Sequence, residues 1–144
     1  MNICTGSYDI PTAYLAVDGI YTNKAPGGVA YRCSFRVTEA AYFIERMIEV
    51  LAVKLGMDAA ELRAKNFIRK DQFPYQSALG WEYDSGDYHT AWDKALAAVD
   101  YGGLRAEQAE RLAAFNRGET RKLIGIGLSH FTEIVGAGPV KNCD

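Results

Sequence analysis

From Val37 to Leu55 the apolar residues recur at spacings of three and four: Val37, Ala40, Ala41, Ile44, Met47, Ile48, Leu51, Ala52 and Leu55. That period is the turn of an α-helix, so the stretch predicts a long helix with one apolar face. Glu39, Glu45, Arg46, Glu49 and Lys54 fall mostly off the stripe and are expected on a solvated or subunit-facing surface. Gly56 suits the position after the helix end. Asp58 with Glu61 makes a capping pair that opens a second helix through about Asn66. Asp87 is the expected N-cap of a third helix, whose buried stripe would be Tyr88, Ala91, Trp92, Ala95, Leu96 and Val99. Tyr101-Gly102-Gly103 is expected to break it. A fourth, heavily charged helix then follows from Leu104 to Asn116, with a narrow seam of Leu104, Gln108, Leu112 and Phe115.

Two stretches carry the other period. Ser7 to Tyr21 alternates and contains Asp18-Gly19, a hairpin turn signal, so it reads as strand, turn, strand, with Pro11 limiting the first run to an edge. Lys122 to Ile134 sets Ile124, Ile126 and Leu128 against Leu123, Gly125 and Gly127, which reads as a strand with one small-residue face. Phe67 to Gly86 reads as irregular and aromatic-rich, a long loop packed on its own subunit or a partner. The expected class is therefore α+β, with about four helices, an N-terminal β-hairpin and a C-terminal strand. The helices and strands lack a complete sheet, so large apolar surfaces are expected to be covered by further parts of the subunit.

Charge excludes some partners. The balance of 16 basic against 18 acidic residues is spread along the chain, which argues against a nucleic-acid surface. No apolar run approaches the roughly 20 residues that cross a bilayer. The three cysteines, Cys4, Cys33 and Cys143, are widely spaced and include no CxxC pair, so neither a disulfide framework nor a zinc site is indicated, and a reducing cytoplasm fits. Both ends read as cut, which suggests an internal piece of a longer subunit.

Just before the long helix stands GGVAYRCSFR, Gly27 to Arg36. Its glycines let the backbone approach a ligand closely. Cys33 then lies among Arg32, Ser34, Phe35 and Arg36. A lone cysteine is commonly a buried small hydrophobe. The neighbouring guanidinium groups and the helix N-terminus favour a thiolate, the form that binds metals and attacks electrophiles. On the residues alone both readings stand.

VAYRCSFR, Val29 to Arg36, resembles the active-site loop of the large subunit of aerobic, molybdenum- and copper-containing carbon monoxide dehydrogenases, a branch of the xanthine dehydrogenase and aldehyde oxidase family. Relatives outside that branch carry AYRGxGR or FRGFG, with glycine where Cys33 stands. The resemblance extends through CTGSYDIP, YTNKAPGG, ELRAKNFI, QFPYQSALGWEYDSGDY and FTEIVGAGP, and so covers nearly the whole chain. It implies that residues 1–144 are part of a molybdenum-cofactor-binding domain. It also implies that Cys33 is the copper(I) ligand, a soft thiolate for a soft ion. Arg32 would lie against the metal site and cofactor, Ser34 and Phe35 would shape the substrate channel, and Gly27 and Gly28 would pack on the cofactor.

The implied cofactors are molybdopterin cytosine dinucleotide and copper(I), with iron-sulfur clusters and FAD on partner subunits. The implied assembly is a dimer of heterotrimers with a medium FAD subunit and a small iron-sulfur subunit. It would be cytoplasmic or peripheral at the inner face of the membrane, passing electrons from carbon monoxide to a quinone. The family's catalytic glutamate and most of its dinucleotide loops are absent from this stretch.

The remaining candidates are weaker. His89 and His130 lack a metal-ligand spacing and read as structural, with His130 the better functional candidate. Glu133 would serve as a general base only if buried. Ser34 lacks the supporting motif of a hydrolase nucleophile, and GAGP at Gly136 to Pro139 is too short for a nucleotide loop. Two rivals remain: a molybdenum hydroxylase for an aldehyde or heterocycle, which Cys33 speaks against, and a non-catalytic assembly segment in which Cys33 is filler.

Overall fold

The computed structural model of the chain describes residues 3–21, 23 and 37–133. Helix α1 runs Val37–Leu55, as the periodicity predicts, and ends where Gly56 turns into the left-handed region at φ 61°. Helix α2, Ala59–Asn66, starts under the predicted cap: Asp58 Oδ1 accepts the Ala60 and Glu61 N–H groups at 2.8 and 3.3 Å. Helix α3, Tyr88–Ala98, begins where Asp87 accepts the Thr90 N–H at 3.2 Å.

Helix α4, Tyr101–Asn116, starts earlier than expected and includes both glycines. Asp100, at φ 47°, caps it by accepting the Gly103 N–H at 3.3 Å. A Cβ on Gly103 would lie 2.3 Å from Asp100 Oδ2. Gly103 is therefore there to let the cap close, and the pair opens the helix instead of breaking it.

Strand pairing departs from expectation in its placing. The two-stranded antiparallel hairpin forms in the stretch expected to be irregular: β1, Tyr75–Gln76, pairs with β2, Glu82–Tyr83. Ser77 closes the turn by donating its N–H to the Trp81 carbonyl at 2.8 Å, and Gly80 supplies the positive φ. No hairpin forms over Ser7 to Tyr21; within it Tyr8 makes one isolated antiparallel bridge to Phe67, and Leu15, Val17 and Ile20 are exposed. Residues 122–133 also lack a ladder partner among the described residues, yet their burial alternates, with 124, 126, 128, 130 and 132 half-buried and the odd positions exposed. Alternation specifies which side chains turn inward; a strand additionally requires a neighbour to receive its N–H and C=O groups.

The core lies where α1, α2 and α3 meet the N-terminal segment. Phe67 is its centre, stacked on Tyr8 at 5.5 Å and met edge-on by Tyr88, Trp92 and His89. Among the described side chains, Ala40, Glu45, Ile48 and Ala52 of α1 are buried, and Tyr88 and Trp92 of α3. Both buried stripes are narrower than predicted: Met47, Leu51 and Leu55 on α1, Ala91 and Ala95 on α3, and Val99 at its C-cap are exposed. Glu45 reverses the expectation of a solvated surface, being 5% exposed.

Candidate functional site

Gly27, Gly28, Arg32, Cys33, Ser34 and Phe35 lie outside the described residues. What the structure shows is the element that this loop runs into, α1, and what holds it. Among the described residues no group of three histidine, cysteine, aspartate or glutamate side chains converges to hold a metal ion. Cys4 is buried, and burial pushes its thiol pKa up, away from the thiolate form that ligates metals.

Behind α1 lies a buried polar cluster centred on Arg63 and Glu45. Arg63 of α2 is fully buried. Its Nε donates to Glu45 Oε2 at 2.8 Å, Nη1 to Glu49 Oε2 at 3.2 Å and the Ala59 carbonyl at 3.1 Å, and Nη2 to the Leu128 carbonyl at 3.0 Å. Glu45 accepts from three sides: Arg63, the Tyr8 hydroxyl, and the backbone N–H of His130 at 3.0 Å. Burial, and then Glu45, push the Tyr8 hydroxyl well above the ordinary tyrosine range, so it stays a donor. Burial works against the charge of Arg63, but hydrogen bonding to Glu45 outweighs it and leaves its pKa raised. One carboxylate thus ties α1 to α2, to the N-terminal segment and to the 128–130 segment.

A second chain of groups continues from His130. Its Nδ1 lies 2.9 Å from Ser7 Oγ, which lies 2.7 Å from Thr132 Oγ1, which donates to the Tyr88 hydroxyl at 2.9 Å. A hydroxyl has one proton to give, so Ser7 donates to Thr132 and His130 Nδ1–H donates to Ser7. Burial lowers the His130 pKa, with Arg63 adding to the effect and Glu45 opposing it. His130 is therefore a neutral structural group. His89 is structural too, with its Nε2 2.9 Å from the Ala64 carbonyl. Glu133 is exposed, which removes the condition for a general base.

Two hollows flank this framework. One, of about 670 Å³, lies against the first turns of α1, bounded by Thr38, Ala40, Tyr42 and Phe43 and by Leu15 and Val17 opposite. The other, of about 510 Å³, is acidic, with Glu82, Asp84 and Glu133 around Tyr88 and Thr132. The buried ion pair had one legible sign in the sequence, an arginine inside a short helix facing an acidic helix, but nothing in the spacing tells which of several glutamates turns inward.

Comparison with known proteins places this framework. Residues 1–67 match the molybdopterin cofactor-binding domain family. The chain is 69% identical over all 144 residues to the carbon monoxide dehydrogenase large chain of Afipia carboxidovorans, covering 18% of that protein. It is 68% identical over 143 residues to the large chain of Hydrogenophaga pseudoflava, covering 17% of it. The crystal structure of the Cu,Mo-CO dehydrogenase in its carbon monoxide reduced state superposes with a TM-score of 0.94 over 99% of this chain and 18% of that one, at 69% identity. The fold is that of a segment of a molybdopterin-binding domain in a large subunit. More narrowly, the chain is similar over its whole length to carbon monoxide dehydrogenase large chains, and it spans less than a fifth of the length of these relatives.

Proposed function

We propose that this chain is part of the molybdenum-cofactor-binding domain of an enzyme that oxidises carbon monoxide with water to carbon dioxide, two protons and two electrons. The observation that carries the reading is the unbroken likeness, 69% over 144 residues, to a carbon monoxide dehydrogenase large chain. Cys33 within VAYRCSFR supports the finer assignment, because a soft thiolate suits monovalent copper and a single protein ligand leaves that ion room for a diatomic gas. When bound, the molybdenum-sulfido-copper centre supplies a soft site for the gas and a two-electron acceptor.

The chain's own residues supply position and charge. Cys33 would hold the copper as thiolate. Arg32, always protonated, would favour that thiolate and pair with the anionic groups of the cofactor. Phe35 keeps the channel apolar and narrow beside Ser34, and Gly27 and Gly28 give the close backbone approach that a bulky cofactor needs. The cofactor in this reading is molybdopterin cytosine dinucleotide. The electrons leave through iron-sulfur clusters and FAD on a small and a medium subunit to a quinone, in a cytoplasmic dimer of heterotrimers.

The test is the Cys33→Ala substitution in the whole complex. Copper content and carbon monoxide oxidation are expected to vanish while molybdenum is kept. Retained copper with retained turnover would refute the assignment, and turnover of an aldehyde or heterocycle in place of carbon monoxide would point to a molybdenum hydroxylase.

A further inference from the structure

Residues 124–132 lie along the framework with even-numbered side chains half-buried and odd-numbered ones exposed. The backbone contacts follow the same parity. The Ile124 carbonyl accepts from Gln108 Nε2 at 3.1 Å, the Leu128 carbonyl accepts from Arg63 Nη2 at 3.0 Å, and the His130 N–H donates to Glu45 Oε2 at 3.0 Å. In an extended chain the N–H and C=O groups of residues two apart leave by the same edge, and those of the residues between leave by the other. Side chains from α4, α2 and α1 therefore seal one edge of this segment. The opposite edge belongs to Leu123, Gly125, Gly127, Ser129 and Phe131, whose N–H and C=O groups meet no hydrogen-bond partner among the described residues.

An open backbone edge is specific in what it fits: another strand, whose own N–H and C=O groups stand at the same spacing. Proteins that keep such an edge in water blunt it with proline, charge or a bulge. Leu123 to Thr132 contains no proline, lysine, arginine, aspartate or glutamate. A Cβ on Gly125 or Gly127 would meet nothing within 4 Å, so the exposed face leaves room for a neighbour.

We propose that the odd-numbered edge of residues 123–131 is a strand-docking edge, and that its occupant is a β-strand from the remaining length of the same large subunit. This chain covers 18% of the matched large chain, so most of such a subunit lies elsewhere. A strand on the same polypeptide reaches the edge at a higher effective concentration than a separate subunit or a second copy. The inference rests on the reading of this chain as part of a large subunit and is independent of Cys33.

In the assembled enzyme, amide hydrogen exchange resolved to single residues reads the edge. The His130 N–H, bonded to Glu45, is the internal reference for a protected amide. The N–H groups of Gly125, Gly127, Ser129 and Phe131 are expected to exchange about a hundredfold or more below their intrinsic rates. Rates near the intrinsic values at these four, with His130 still protected, overturn the proposal. The occupant is read by a photo-reactive benzoylphenylalanine replacing Phe131, which is 58% exposed on the odd-numbered face. A cross-link to a large-subunit peptide outside these 144 residues is expected. A cross-link to another subunit or to a second copy overturns the choice of occupant. Copper kept by Cys33→Ala would sink the copper assignment and leave the exchange pattern unchanged, so the two failures are distinguishable.

Discussion

His130 shows how a single side chain couples this core to pH. Its ring is enclosed by Phe67 at 4.7 Å, Tyr88 at 5.2 Å and Trp92 at 6.0 Å, with Glu45 and Arg63 as the charged groups facing it from α1 and α2. Burial disfavours the imidazolium, so the folded pKa lies below the ordinary 6.5. Below that value the unfolded segment binds a proton that the folded one refuses. The stability contributed by neutral His130 is therefore fully present above about pH 6.5 and is lost as pH falls towards the folded pKa. In the assembled enzyme, hydrogen exchange of residues 124–133, corrected for intrinsic rates, should accelerate between pH 7 and pH 5. A His130→Asn variant should show a flatter dependence. Equal slopes in the two proteins would remove His130 as the cause.

Asp58 does at the scale of elements what Glu45 does for α1. It caps α2 and receives the Tyr101 hydroxyl at 2.9 Å, and it pairs with Arg105 Nε at 3.2 Å, so one carboxylate joins the start of α2 to the first turns of α4. Partial burial works against its charge. The Tyr101 hydroxyl, the Ala60 and Glu61 N–H groups and then Arg105 outweigh that and hold its pKa below the usual 3.8. The Arg105 pair is half exposed, so the cap is the better part of its worth. Asp58→Ala should cost about 1 kcal/mol, the usual loss for a removed N-cap. It should be seen as faster hydrogen exchange at residues 59–66 and 101–105 with α3 unaffected. A change confined to residues 59–66 would show that the link to α4 contributes nothing.

For the molecule as a whole, the outward faces carry the argument. Tyr14, Ile20 and Tyr21 are 82% exposed or more, and Tyr42 and Val53 add 74% and 77% from α1. Among the described residues, this apolar surface surrounds a core built from the N-terminal segment, α1, α2, α3 and the short hairpin. No described helix is long and apolar enough to cross a membrane. Exposed apolar surface on this scale is usually an interface. The 144-residue chain expressed alone is therefore expected to bind neither molybdenum nor copper and to oxidise no carbon monoxide. It should also bind a hydrophobic dye strongly. Metal-dependent turnover by the isolated chain would contradict this.

Local rules made much of this readable in advance. The bounds of α1 follow from its period and Gly56, those of α2 and α3 from Asp58 and Asp87, and the inward face of residues 124–132 from alternation, because each depends on residues within a turn or two. Pairing and selection were not readable. Asp18-Gly19 is a sound turn signal without a ladder to close, whereas the hairpin formed between Tyr75 and Tyr83, where aromatic stacking at 6.1 Å accompanies the pairing. Glu45 and Glu49 lie about 40° apart on a helical wheel, at the same edge of the apolar stripe, and hydropathy does not choose between them. Only the approach of Arg63, Tyr8 and His130 from three separate parts of the chain makes Glu45 the one to bury. Sequence alone determined α1, α2 and α3 and the caps of α2 and α3, since those are short-range chemistry, but not the start of α4 under Asp100. The tertiary structure decided which charge goes inside, because a buried carboxylate is stable only where its donors arrive from elsewhere in the fold.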